Sequence, residues 1–235
     1  MDSPTLDYRN LDDRLIKIEL ELFALEDHLN LIEQQIRNKE FEKIKSRQNI
    51  KKLSLTPEDP EWYWEQQELD YIVEFLIPRF FRSPFLVSLY AVYESAIIEI
   101  AKLIQQHKLI AISINDLRGD FLDRAKKYYK DVINFPFCSD KKAWQKINMF
   151  VEIRHAIAHA NGRIEMLRPK TQTKLKIWEK QNIGISSMDG FVVIGEGFLR
   201  DSLRLISNFL NDLVERYKQW DDYQKAQVGN PVPLP

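Results

Sequence analysis

Leu11, Leu15, Ile18, Leu22, Leu25, Leu29, Ile32 and Ile36 follow one another in alternating steps of four and three residues, with mostly charged and polar residues between them. A sustained heptad is the seam of a coiled coil, whereas an ordinary amphipathic helix drifts off a 3.5-residue period. No Gly or Pro interrupts residues 5–53. The pattern predicts one long helix, serving either as a dimerising or partner-binding arm or as a helix packed on its own domain. Its distal end is basic, from Arg37 and Lys39 to Lys51 and Lys52.

Residues 53–60, LSLTPEDP, carry two prolines and read as a hinge. A helix is expected from there to about Pro78, then a largely buried helix over 85–107 entered at Pro84, then a third over about 115–132. Ser139 or Asp140 can cap the next helix, which runs through Trp144 to about Ala160 and stops at Asn161-Gly162. KLKIW and IGIS, followed by Asp189-Gly190 and FVVI, suggest a small β-hairpin. A last helix over about 197–220 precedes an extended, mobile tail, GNPVPLP. The expected class is all-α: a helical bundle with a long N-terminal coiled-coil helix and a small hairpin before the last helix. The expected organisation is an arm over 1–56, a helical domain over 57–222 and a flexible tail over 223–235.

Composition agrees with that class. The chain has 235 residues, of which 44% are hydrophobic and 29% charged, with only seven Gly, which excludes collagen-like, disordered and many-stranded β classes. Cys138 is the single cysteine, so no internal disulfide and no Cys-based zinc cluster can form, as suits a reducing, cytoplasmic compartment. The start, MDSPTLDYRN, carries acids where a signal peptide would carry positive charge. The most apolar stretch, 85–104, is broken by Ser88, Glu94, Ser95, Glu99 and Lys102, so no membrane span is expected. No P-loop, dinucleotide-binding turn, serine-hydrolase elbow or HExxH pair occurs. Neither cofactor nor metal is expected.

The net charge of −1 conceals an asymmetry: residues 118–180 hold 15 Lys and Arg against seven acids, so that third is +8 and the remainder −9. A basic field of this kind can recruit a polyanion even on a neutral protein; it is equally the signature of a solvated lysine-rich face. Tyr128, Tyr129, Phe135, Phe137, Trp144 and Trp178 lie in or beside it and could stack on unpaired bases.

Two charges fall where the helical period calls for apolar residues. Glu94 lies amid Val87, Tyr90, Ala91, Ile97, Ile98 and Ala101, and Arg154 shares the arc of Trp144, Ile147, Val151 and Ala158. Because an unpaired buried charge costs several kcal/mol on an order-of-magnitude basis, each needs a partner. The economical expectation is a Glu94–Arg154 pair, either fixing helix register or aiming the guanidinium at a phosphate.

The end of that helix reads RHAIAHANG over 154–162. It resembles the R-x4-6-H motif of the HEPN superfamily, α-helical proteins many of which are metal-independent endoribonucleases, and Glu94 resembles an acidic residue that several groups carry in their second core helix. The likeness covers about 85–217. The resemblance implies RNA cleavage by attack of the substrate's 2′-hydroxyl on phosphorus, with Arg154 holding the phosphate, His159 as base or acid, His155 as a second polar contact or proton donor, and Glu94 and Asn161 in support. It also implies a homodimer, a toxin or phage-defence role, and an antitoxin or defence-system partner. The chain departs from the nucleotidyltransferase-paired toxins, which carry Tyr where Asn161 stands. On an ideal helix, Arg154 and His159 point about 140° apart, so either fraying before Gly162 or a second subunit must bring the groups together.

Glu152, His155 and His159 also line one helical stripe compatible with a metal site, although no Cys or third His is near in sequence. The reading from another class is a non-catalytic helical RNA-binding or protein-interaction module that keeps the arginine and histidine as structural groups.

Overall fold

The computed structural model describes residues 12–52, 60–138 and 140–229. Among the described residues seven α-helices and one hairpin succeed one another: α1 (Asp13–Lys52), α2 (Pro60–Asp70), α3 (Ile77–His107), α4 (Phe121–Lys127), α5 (Lys141–Ala160), α6 (Pro169–Lys180), β1 (Ile185–Met188), β2 (Phe191–Ile194) and α7 (Glu196–Gly229). The class is all-α, with a two-stranded hairpin before the last helix, as the sequence pattern indicates. Of the expected hinge, 53–60, residues 53–59 lie outside the described residues and Pro60 opens α2; of the expected flexible tail, 223–235, residues 223–229 are helical as the end of α7 and 230–235 lie outside the described residues, as do Leu11 and Ser139.

The chain forms two compact units. One comprises the described parts of 1–23, 91–148 and 204–235; the other comprises 24–90 and 149–203. Four helices, α1, α3, α5 and α7, therefore contribute to both, and α1 does not stand apart as an arm. Its heptad residues Leu15, Ile18, Leu22, Leu25, Leu29, Ile32 and Ile36 are all at most 7% exposed in the single chain. The seam is covered intramolecularly, so it is not open to a second coiled-coil strand.

In the first unit an aromatic core joins α3, α4, α7 and the loop after α4. Tyr93 meets Phe121 and Phe209, and Phe137 packs on Tyr129 at 4.6 Å and on Phe209 at 5.4 Å between ring centroids. Tyr129 is buried and donates its hydroxyl to the Ile97 carbonyl at 2.8 Å, which satisfies the one polar atom that burial would otherwise strand.

In the second unit α1 and α3 are tied by a buried ion pair that no local pattern in the sequence announces. Arg82 Nε and Nη2 donate to Glu33 Oε1 and Oε2 at 2.8 and 2.7 Å, with the Glu33 side chain 1% exposed. A second knot joins α1 to α2 and the turn after it: Lys43 Nζ lies 2.8 Å from Asp70 Oδ1 and 2.5 Å from Glu74 Oε1, and Arg47 also pairs with Asp70. The Lys43 hydrogen bond holds the Asp70 carboxyl below its usual range. That contribution to stability is present above about pH 4 and fades as acid protonates Asp70.

Several boundaries differ from those the residues suggest. No break occurs at Pro78 or Pro84: α2 passes through a π-helical turn (Tyr71–Leu76) straight into α3, and Pro84 lies inside α3. The widened turn precedes Pro78, whose ring and missing N–H exclude a regular bond to the carbonyl four residues back. Burial of Phe75, Phe85, Leu86 and Leu89 along this helix outweighs the local cost. The third expected helix is divided into a 3-10 turn (Ile114–Asp116), α4 and a second π-helical turn (Tyr128–Val132). KLKIW is helical, within α6, because Pro169 opens a helix whose inner face is Thr171, Gln172, Leu175 and Trp178. The continuous helix over Tyr63–His107 is long and apolar enough to cross a membrane, and half of its most apolar window is buried inside the chain.

Candidate functional site

Asp140 starts α5 by accepting the Lys142 N–H at 2.7 Å, and the helix stays regular to Ala160. It ends because Asn161 and Gly162 both adopt positive φ, at 49° and 73°. Gly162 N–H reaches back to the Ala156 carbonyl at 3.0 Å, then Gly162 O accepts from Val192 N–H at 2.8 Å and Ile164 N–H donates to Gly190 O at 2.9 Å. The helix exit is thereby stitched to β2. The hairpin is held in turn by Asp189-Gly190, at φ of 53° and 78°, in the two-residue loop that the pattern forecasts.

Arg79 fixes this exit from the other side. It is 7% exposed, donates through Nη2 to the Asn161 carbonyl at 2.7 Å, and lies over the Phe191 ring at 4.2 Å. A cation at a helix C-terminus also offsets the partial negative charge of the last carbonyls. Gly162 is enclosed: a Cβ there would meet Ile157 Cδ1 at 3.3 Å and the Val192 carbonyl at 3.5 Å, in a backbone region that L-residues rarely adopt. Gly162→Ala is expected to lower stability by about 1–3 kcal/mol through that strain. Urea unfolding measures it, and an unchanged midpoint would show that the exit tolerates another path.

Arg154 is half-buried and projects over Tyr90 of α3, with Cζ 4.1 Å from the ring centroid. Its Nε is buried without a hydrogen-bond partner, and Arg154 enters no ion pair among the described residues. His155 and His159 are exposed and lie one helical turn apart, their ring centroids 5.6 Å from each other. The His155 ring stands edge-on to Tyr90 at 6.2 Å. Tyr90 is therefore the plate on which the two sides of the motif converge: the cation lies against its face and His155 is its neighbour. The helix does not fray to bring His159 round: of the two imidazoles, His155 shares the Tyr90 ring with the guanidinium, and His159 lies one helical turn further on beside His155.

The pairing expected for Glu94 is not the one observed. Glu94 belongs to the other unit, is half-buried, and takes part in no hydrogen bond or ion pair among the described residues. The buried faces of α3 carry Leu86, Leu89, Tyr93, Ala96, Ile97 and Ile100, whereas Ala91 is exposed. The helix is apolar nearly all round, so 3.6-residue periodicity alone could not select its inner side. The Asn161 side chain is exposed, and its carbonyl is already engaged by Arg79. Glu152 faces α6, where Lys174 Nζ and Thr171 Oγ1 approach its two oxygens at 2.5 and 2.9 Å. No group of three or more His, Cys, Asp or Glu suited to a metal ion gathers among the described residues.

Tyr90 and Arg79 were not legible as site residues. Their one shared signal is a spacing of 11 residues, three helical turns, which puts both on the same side of one long helix. No protein-family model matches the chain, and no curated protein or solved structure does so either.

Proposed function

We propose that the chain is a metal-independent endoribonuclease of HEPN type, with Arg154, His155 and His159 as its reacting groups. The observation that carries the proposal is the guanidinium of Arg154, held on Tyr90 without a carboxylate partner, with the exposed His155 imidazole against the same ring and that of His159 one helical turn beyond it. A cation left without a counter-charge is poised for an anionic ligand, and the planar fork of arginine fits two phosphate oxygens. The basic third of the chain, residues 118–180, supplies a field that favours RNA.

The chemistry follows from transphosphorylation. The 2′-oxygen attacks phosphorus and the bond from phosphorus to the 5′-oxygen breaks, leaving a 2′,3′-cyclic phosphate and a 5′-hydroxyl. One group must take the proton of the 2′-hydroxyl while another gives a proton to the departing oxygen. In this reading His159 is the base, His155 the acid, and Arg154 stabilises the pentavalent phosphorane. Tyr90 positions Arg154, and Arg79 with Gly162 fixes the helix end that carries both histidines. The active unit is a homodimer, with a toxin or phage-defence role and an antitoxin or defence-system partner; these last points rest on the motif resemblance alone.

Cleavage of an end-labelled single-stranded RNA by Arg154→Ala and Arg154→Lys tests the arginine. Loss of the phosphate contact is expected to cost at least a hundredfold in rate for Ala, by the scale of a lost oxyanion-type donor. Lys should restore part of it, because the charge returns without the fork. Equal rates in all three proteins, with unchanged circular dichroism, would remove Arg154 from the mechanism.

A further inference from the structure

In the first unit, α4, the loop after it and the start of α5 line a half-open cavity of about 660 Å3. That volume lies within the range of small-ligand pockets. Its inner wall is aromatic: Phe135 and Phe137 are buried, and Phe137 meets Trp144 edge-to-face at 5.7 Å. Its rim is cationic, with the exposed side chains of Lys126, Lys130 and Lys141. Lys126 Nζ stands 5.8 Å from the Trp144 ring centroid, so charge and aromatic face are presented together. The carboxylate in the lining, Asp140, is occupied by the Lys142 N–H at 2.7 Å.

The wall is preformed. Arg216 of α7 donates to the Pro136 carbonyl at 2.5 Å and to the Phe137 carbonyl at 3.2 Å, and is itself held by Asp212 at 2.7 Å. The loop that carries the aromatic wall is thus pinned to a helix before any ligand arrives, which reduces the ordering cost of binding.

We propose that this cavity binds one nucleotide unit, with the base against Phe137 and Trp144 and the phosphate on Lys126, Lys130 and Lys141. Planar rings suit the aromatic wall, three cations against one engaged carboxylate suit a phosphate, of charge near −2 as a terminal monoester and −1 within a strand, and the Gln145 amide at the edge can meet polar groups of a base. The same chemistry arises from a free mononucleotide or from a nucleotide within a single strand. Binding here does not depend on the ribonuclease reading, because no bond is made or broken at this site.

Cys138, the chain's single cysteine, lines the cavity and reports on its occupancy. The full chain is treated with iodoacetamide in the presence of each of the four nucleoside 5′-monophosphates, or of a six-nucleotide 2′-O-methyl RNA that has no nucleophilic 2′-hydroxyl. At least one of these ligands is expected to slow alkylation of Cys138 fivefold or more. The double charge reversal Lys126→Glu with Lys130→Glu, on exposed side chains, should weaken that ligand at least tenfold in calorimetry without shifting the melting temperature. Protection by monophosphates identifies a free nucleotide as the source, and protection by the strand alone identifies single-stranded nucleic acid. Alkylation unaffected by all five ligands, or a charge-reversed protein that binds as tightly as the wild type, overturns the proposal.

Discussion

Replacing Arg82 with Ala is expected to destabilise the protein by about 3–5 kcal/mol, since the substitution strands the carboxylate of Glu33 in the interior. Glu33 is 1% exposed and both of its oxygens are bound by Arg82, at 2.8 and 2.7 Å. Domains are typically stable by about 5–15 kcal/mol, so the loss is a large fraction of the whole. The double replacement Glu33→Leu with Arg82→Met should recover most of it, because a buried pair exchanged for apolar groups of similar volume is commonly neutral. A double-mutant cycle in urea separates the two effects. If Arg82→Ala cost under about 1 kcal/mol, solvent would have to reach Glu33, contrary to its burial.

The largest functional effects are expected at the two histidines, and they should be separable. Removing a general acid or base typically costs about 10²–10⁴-fold in rate, so His155→Ala and His159→Ala should each fall in that range on ordinary RNA. A substrate whose 5′-bridging oxygen is replaced by sulfur has a leaving group that departs without protonation. On that substrate His155→Ala should regain most of the wild-type rate, whereas His159→Ala stays slow because the 2′-hydroxyl still has to be deprotonated. The opposite pattern would exchange the two roles. Rescue of neither variant would mean that the imidazoles, 5.6 Å apart, do not act as an acid and base pair.

Which parts of this account were legible in the sequence follows from how far each signal reaches. The heptad of α1, the Asn161-Gly162 stop and the Asp189-Gly190 turn are local rules of backbone and period, and each appears in the structure. What covers the heptad is not local: the seam leucines are buried by other segments of the same chain, which periodicity cannot distinguish from burial by a second chain. KLKIW offered five residues, too short a window to tell alternation from a helix, and Pro169 decided for α6. Pro78 and Pro84 read as breaks because proline is judged by its local cost, whereas the long helix that contains them is maintained by Phe75, Phe85 and Leu89 in the core.

The site shows the same division. Arg154, His155 and His159 are visible as a motif on one helix. Their supports, Tyr90 and Arg79, come from a segment more than 60 residues away and belong to a helix whose apolar residues surround it almost completely. The helical period places a buried charge pair on Glu94 and Arg154, while the residues that form one are Glu33 and Arg82. Arg154 is accommodated differently, by stacking on an aromatic face and remaining half-exposed.

The most direct test of the central claim is the chemistry of the product ends. Purified protein is incubated with 5′-labelled single-stranded RNA in EDTA, and the fragments are resolved before and after treatment with acid and with phosphatase. The expected fragments end in 2′,3′-cyclic phosphate and are absent with His159→Ala. Intact RNA at every protein concentration, or fragments that end in 3′-hydroxyl, would contradict that claim and leave the helix end a binding surface rather than a catalytic one.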